Sequence, residues 1–125
     1  MDAHPVTKET VARAIDRIRS IHGVIACALV TKTGIMMGKY FEEGGESARL
    51  VGVMCASILS SADAVASILD LGSPSSIIIN SGNAKILLMS AGEKILLIAV
   101  VRISTADQET IEQLREVADR IGSEW

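Results

Sequence analysis

Residues 46–71 read ESARLVGVMCASILSSADAVASILDL, and this stretch decides how the rest of the chain is interpreted. It is apolar over most of its length and rich in alanine and serine, which predicts one long helix. At about 100° per residue, one stripe of this helix collects the apolar residues expected to face a sheet. The predicted core stripe consists of Val51, Cys55, Ile58, Ala62, Val65 and Leu69.

The apolar surface of this helix is wider than one contact with a sheet requires. Leu59 and Ala66 extend it on one flank, while polar residues such as Arg49 and Asp63 gather on the far side. On the other flank is a row of large apolar residues and small serines, namely Leu50, Met54, Ser57, Ser61 and Ile68. Because a surplus of this kind marks an interaction surface, we expect the helix to contact a second body as well as its own sheet.

Length and charge limit the classes of protein that the chain can represent. At 125 residues, it is expected to form one domain over residues 7–125, preceded by a flexible arm over residues 1–6. The net charge is -3, and the aromatic residues are Tyr40, Phe41 and Trp125. Since nucleic-acid binding relies on basic surfaces and stacking side chains, nucleic acid is not an expected partner.

The first residues and the long helix bear on location. The opening segment MDAHPVTKET is polar and lacks a leader pattern, so a cytoplasmic location is expected. The long helix has the length of a membrane span, but Asp63 and several serines lie within it. Because a carboxylate is costly in lipid, no membrane span is predicted.

Residues that could carry chemistry do not form a recognisable motif. Cys27 and Cys55 have neither CxxC spacing nor a nearby histidine, and both stand in apolar segments, where a thiol behaves as a small buried hydrophobe. The loop at Gly44-Gly45 follows two glutamates and lacks the lysine of a phosphate-binding loop. We therefore predict no catalytic residue, no cofactor and no metal ligand.

A helix and a hairpin are predicted before the long helix. The helix starts after a cap at Thr7 and buries the apolar residues Val11, Ile15, Ile18 and Ile21. Residues 24–30, VIACALV, and residues 35–41 then form the hairpin. Since the first of these strands is apolar at nearly every position, helices are expected on both faces of the sheet.

Three strands and a final helix are predicted after the long helix. The strands, joined by two-residue turns that begin at Gly82 and Gly92, cover residues 75–81, 84–90 and 94–103. Thr105 and Gln108 have the spacing of a capping box that starts the final helix, and Gly122 is expected to end it. The predicted buried face of this helix is Ile111, Leu114, Ala118 and Ile121.

The order of elements predicts an α+β fold in which a five-stranded antiparallel sheet has helices on each face. With this order, the chain resembles the roadblock family, named for dynein light chains and found also as small bacterial and archaeal proteins that work with Ras-like GTPases. The resemblance covers residues 7–121 and rests on Gly23-Val24, Gly34-Ile35, Leu71-Gly72, Ile86-Leu87-Leu88 and the strand around Leu96–Val100. Thr31 departs from the family, since many members have an aspartate there, and any role for a carboxylate at this position is weakened.

The resemblance implies a sandwich with the long helix on one face and the terminal helices on the other, and it implies dimers. In such dimers the strand after the long helix pairs with its symmetry mate, and the long helices pack side by side. That strand contains three isoleucines and no charged residue. At a sheet edge, it would promote aggregation unless it were paired. The predicted dimer or partner interface is Leu50, Met54, Ser57, Ser61, Ile68, Ile77, Ile78 and Ile79.

For function, the resemblance implies a non-enzymatic homodimer that binds and regulates a small Ras-like GTPase or another NTPase. Stimulated hydrolysis often needs an arginine that stabilises the transferring phosphate, and Arg49, beside the apolar row, is the arginine to test. A solvated surface arginine is the simpler interpretation. The alternatives are a sensor domain or enzyme that binds a small molecule, and a structural scaffold subunit of a larger complex.

Overall fold

The computed structural model describes residues 6–125, and its order of elements is the predicted one. The helices are α1 (Lys8–Arg19), α2 (Ala48–Ile68) and α3 (Gln108–Glu124). The strands are β1 (Val24–Thr31), β2 (Met36–Phe41), β3 (Ser76–Ser81), β4 (Ala84–Ala91) and β5 (Ile95–Arg102). Short 3₁₀ turns at Gly45–Ser47 and Ile103–Thr105 precede α2 and α3. Of the predicted arm, only Val6 lies within the described residues.

The five strands form one antiparallel sheet in the order β2-β1-β5-β4-β3. The last strand, β5, therefore lies at the centre, between β1 and β4. Strands β2 and β3 are the two edges of the sheet and lie at opposite ends of it.

Helices cover both faces of the sheet, as the apolar first strand predicts. Along β1, Cys27 and Leu29 belong to the buried cluster under α1 and α3, whereas Ala28 and Val30 belong to the cluster under α2. This alternation is the period of two expected of a strand with cover on both sides. The α+β sandwich, with α2 on one face and α1 and α3 on the other, is confirmed.

The caps of the two terminal helices follow the prediction at one helix and correct it at the other. The hydroxyl of Thr7 accepts a hydrogen bond from the backbone N–H of Thr10 at 3.1 Å, which confirms the first cap. The predicted capping box at Thr105 is wrong, because Thr105 lies in the 3₁₀ turn before α3, where its hydroxyl donates to the carbonyl of Arg102. Asp107 caps α3 instead, accepting from the Thr110 N–H at 2.9 Å.

Gly122 does not end α3, which continues to Glu124. A Cβ at Gly122 would lie 2.6 Å from the backbone nitrogen of Gly92, so this glycine is required for close contact between the helix and the β4–β5 turn. The turn itself has three residues, because Ala91 pairs with Ile95, and the predicted two-residue turn at Gly92 is wrong.

Candidate interaction surface

Helix α2 presents a different face to the sheet from the one predicted. Its buried residues are Ala48, Gly52, Cys55, Ala56, Leu59 and Ala66. Of the predicted core stripe, Cys55 is buried, but Ile58, Val65 and Leu69 are 40%, 55% and 61% exposed. At about 100° per residue, the buried face is rotated by roughly 80° from the predicted one.

The small residues of α2 explain this rotation. A Cβ at Gly52 would lie 3.0 Å from Val30 Cγ1, and a Cβ at Gly34 would lie 3.1 Å from Val53 Cα. These two glycines therefore let α2 pack close to β1 and to the turn between β1 and β2. Periodicity alone could not reveal this, because the apolar arc is wider than the buried face and large residues such as Ile58 and Val65 are left outside.

The outer face of α2 is the apolar surface turned away from the sheet. It contains all five helix residues predicted for the interface, together with Ile58 and Val65, which were expected in the core. Among its members, Leu50 is 63%, Met54 57% and Ile68 83% exposed. We define the outer face as Leu50, Met54, Ser57, Ile58, Ser61, Val65 and Ile68, all of them exposed.

In the part of the chain that the structure describes, strand β3 leaves one side of its backbone unpaired. Ser75 O accepts a hydrogen bond from Ser90 N at 3.1 Å, which fixes the residues of β3 that face β4. Because antiparallel strands alternate between the two directions, the N–H and C=O groups of Ser76, Ile78 and Asn80 point outward. Strand β3 is therefore at an edge of the sheet, as the predicted pairing of two copies requires.

The three predicted isoleucines of β3 do not lie on one surface. Ile77 and Ile79 are half-buried and pack against the cluster under α2, where Ile86 of β4 joins them. Ile78 pairs with Leu87, which belongs to the other cluster, so its side chain is on the face of α1 and α3 and is 45% exposed. Only Ile77 and Ile79 share the α2 side of the sheet with the outer face.

Arg49 is exposed in the first turn of α2, next to Leu50 in sequence. At about 100° per residue it is in line with Ser67 on the polar side of the helix, so its guanidinium is accessible beside the outer face and not on it. Of the residues that the sequence did not assign to an interface, Ile58 and Val65 extend the same apolar surface. The sequence indicated that the apolar surface of α2 is wider than one contact needs, but it did not reveal which part of that surface faces outward.

The cysteines and the small cavities offer little chemistry. Burial raises the pKa of the Cys27 thiol to about 12, against an opposing effect of Arg19, and burial also raises the pKa of Cys55. Both thiols are therefore protonated and unreactive at neutral pH. Within residues 6–125, no group of three or more His, Cys, Asp or Glu side chains is placed to hold a metal ion.

A cavity of about 180 Å³ lies beside α2. Lys32 and Asp63 provide its charges, and Ser60, Ser73 and Ser90 provide hydroxyl groups. In the described part of the chain, every buried polar side-chain atom has a hydrogen-bond partner. No orphaned polar group in residues 6–125 therefore marks the position of a ligand.

The segment Gly45–Ile68 is long and apolar enough to cross a membrane by length and composition alone. Only 22% of its most apolar window is buried. Most of this window is therefore exposed in the described residues, and an exposed apolar surface of this size is typical of an interaction site.

Structural comparison first defines the class of the fold. Profilin IB of Acanthamoeba castellanii aligns with a TM-score of 0.66 at 14% identity, covering 90% of this chain and 97% of that chain, so the fold is profilin-like. MglB of Myxococcus xanthus aligns with a TM-score of 0.87 at 10% identity, covering 98% of this chain and 92% of that chain. The gliding protein MglB from Thermus thermophilus gives 0.84 at 11% identity, covering 96% and 91%.

The sequence itself then gives the family. The model of the Roadblock/LC7 domain matches residues 10–102. The chain therefore belongs to the Roadblock/LC7 domain family, and the resemblance noted from its sequence is confirmed. No curated protein is similar enough in sequence to be matched.

Proposed function

We propose that this protein is a non-catalytic homodimer that binds and regulates a small Ras-like GTPase or a related NTPase. The observation that carries the proposal is the outer face of α2, an exposed apolar surface on a helix that is otherwise packed against its own sheet. Membership of the Roadblock/LC7 family supports it. A solved structure described as MglB with a tetrameric arrangement, 13% identical to this chain, provides a precedent for self-association in a relative of the same fold.

The proposed dimer joins two copies through α2 and β3. Ser57 and Ser61 lie in the middle of the outer face, where small side chains let a second helix approach closely. Leu50 and Ile68, both more than half exposed, supply apolar contact towards its ends. The outward backbone groups of β3 pair with the same strand of the second copy across a two-fold axis.

A protein partner explains the outer face better than lipid does. The opposite side of α2 is packed against the sheet through Gly52, Cys55 and Leu59, and a helix surrounded by lipid would lose this contact. Asp63 and Ser67 are exposed on the same helix, and a carboxylate in hydrocarbon costs several kcal/mol. The helix therefore belongs to a protein interface rather than to a bilayer.

The proposed effect on the GTPase is regulation through contact. A dimer of this kind can shift the nucleotide state of its partner by binding one state more tightly than the other. If hydrolysis is stimulated through an arginine of this chain, Arg49 is the candidate, because it is exposed in the first turn of α2, next to Leu50 of the outer face.

The test starts with a pull-down from native lysate with the tagged protein. One sample contains GDP, and a parallel sample contains a nonhydrolysable GTP analogue. We expect recovery of a GTPase in one nucleotide state only, followed by a change in its hydrolysis or exchange rate when the two purified proteins are mixed. Recovery of the same partner in both nucleotide states would favour a scaffold subunit. Recovery of no NTPase would refute the proposed regulation.

Two arginine variants test whether Arg49 is an arginine finger, which stabilises the transferring phosphate, or only a surface residue. Arg49→Ala should reduce stimulated hydrolysis by about 10³-fold or more, with binding retained, if the guanidinium stabilises the transferring phosphate. Arg17→Ala is the matched control, because Arg17 is also exposed but lies on α1, on the other face of the sheet. Equal rates for both variants would assign Arg49 to the solvated surface.

A further inference from the structure

The edge of the sheet opposite β3 has a second candidate surface, which is separate from the outer face of α2. A groove of about 430 Å³ runs between α1 and the edge strand β2. The groove is on the side of the sheet that α1 and α3 cover, whereas the proposed dimer uses the side that α2 covers. Among residues 6–125, the edge strand has a neighbour, β1, on one side only.

The backbone of β2 determines what can bind at this edge. Glu42 N donates to Ile25 O at 3.1 Å, so the backbone groups of Glu42 face β1. By the alternation of an antiparallel pair, those of Tyr40 and Gly38 also face β1, and those of Lys39 and Phe41 point outward. Unpaired N–H and C=O groups at this spacing match the backbone of another extended chain.

The groove beside this edge has an apolar floor. Val11 and Ile15 of α1 lie close against Gly38 of β2, where a Cβ would come within 2.5 Å of Val11 Cγ1. Ala12 and Met37 line the same groove. Alternate side chains of an added strand would therefore find an apolar surface under α1.

The rim of the groove is basic although the protein as a whole is acidic. The net charge of the chain is -3, yet among the described residues the groove is lined by the cations Lys8 and Arg19 and by the carboxylate of Asp16. Lys39 also borders the groove, but its side chain lies on the α2 side of the sheet, where its ammonium donates to Gly45 O at 3.0 Å. The guanidinium of Arg19 lies 4.1 Å from the centre of the Tyr40 ring, which holds this charge over the groove. The carboxylate of Asp16 is 4.0 Å from Arg19 and offsets only part of the positive charge.

We propose that this groove binds an extended, acidic segment of a partner protein, which adds to the sheet as a strand alongside β2. Main-chain hydrogen bonds to Lys39 and Phe41 provide affinity, and the basic rim selects acidic side chains. A second copy of this chain is a poor occupant, because pairing β2 with itself would bring two basic rims together. The inference goes beyond the proposed function and does not depend on it.

The test uses two capped peptides of about eight residues, the length of an ordinary strand. One has valine at its central positions and glutamate at both ends, to match Lys8 and Arg19 at the two ends of α1, and the other has lysine in place of glutamate. We expect the glutamate peptide to bind at least about tenfold more tightly, as measured by fluorescence anisotropy. In spectra of the ¹⁵N-labelled full chain, it should shift the amide signals of Lys39, Phe41 and α1.

Variants of the rim and of the edge separate charge from main-chain pairing. Lys39→Pro removes the outward N–H and should weaken binding of the glutamate peptide about tenfold, whereas Lys39→Ala keeps the N–H and should weaken it less. Lys8→Glu changes only the charge, at an exposed site in the first turn of α1 where an acid suits the helix dipole. It should weaken the glutamate peptide and strengthen the lysine peptide.

Several results would overturn the inference. These are equal binding of the two peptides, absence of binding by either, and signal changes confined to β3 or to the outer face of α2. If Lys39→Pro fails to fold, Lys8→Glu decides the question, and an unchanged affinity in that variant contradicts the proposal. Self-association that maps to β2 would assign the groove to a second copy. Because Met54 lies on the other side of the sheet, Met54→Glu should leave peptide binding unchanged, which separates this test from that of the dimer.

Discussion

Substitution of Met54 by glutamate is the most direct perturbation of the proposed dimer. Met54 is 57% exposed on the outer face of α2. Full burial of a methionine side chain is worth roughly 1.5–3 kcal/mol, so contact with a second copy would recover about 1 kcal/mol per protomer. A glutamate placed in the same contact adds a desolvation cost of about 1 kcal/mol or more.

These contributions occur twice in a two-fold dimer and therefore total about 4 kcal/mol. At 1.4 kcal/mol for each factor of ten, Met54→Glu should raise the Kd of the dimer by about 10³-fold. The stability of the single protomer should change by less than about 0.5 kcal/mol, because the side chain is exposed before the dimer forms. The predicted effect is thus on association and not on folding.

Sedimentation velocity over about 1–100 μM is the appropriate assay, with thermal unfolding as the check on the fold. Ser67→Glu is the matched control, because it adds the same charge to an exposed site on the polar side of α2. Wild type and the control should sediment as dimers at the upper concentrations, and Met54→Glu as a monomer. A monomeric wild type, or a Met54→Glu protein that dimerises like wild type, would refute the argument.

Three further predictions concern the edge of the sheet and α3. Ile78→Pro removes an outward N–H of β3 and should abolish dimers while the protomer stays folded, as sedimentation and circular dichroism would reveal; persistence of the dimer would contradict strand pairing. Gly122→Ala should lower the urea-unfolding free energy by about 1–2 kcal/mol, because contact with Gly92 outweighs a helix-propensity gain of about 1 kcal/mol; a stabilised variant would disprove that contact. The Thr110 N–H lowers the pKa of Asp107, so this carboxylate stabilises the fold above its unfolded pKa of about 3.9 and loses that effect as pH falls through the lowered folded value. Asp107→Ala should therefore melt below wild type at pH 7 and approach it in acid, and a difference independent of pH would contradict the cap.

Much of the fold could be predicted because local signals agreed with one another. The alternation and turn glycines of the strands placed all five of them to within about two residues, and the continuous apolar run of β1 required helices on both faces. Sequence could not supply the neighbours of each strand, which depend on contacts between distant segments. The family resemblance, rather than periodicity, placed α1 and α3 together on one face.

The candidate surface was harder to predict for two physical reasons. In α2, Gly52 and Ala56 face the sheet because small residues permit close packing, while the larger Ile58 and Val65 remain outside. A scale that ranks residues by hydrophobicity chooses the opposite arrangement. In α3, Gly122 has the sequence pattern of a helix end, but it is a glycine because its backbone contacts Gly92, 30 positions earlier in the chain.

The order of strands places β2 and β3 at opposite ends of the sheet. A symmetric pair joined through β3 would therefore keep one β2 edge at each extremity, far apart and related by the two-fold axis. A client carrying two acidic segments on a tether long enough to reach both would engage them together, and its avidity would depend on the length of that tether.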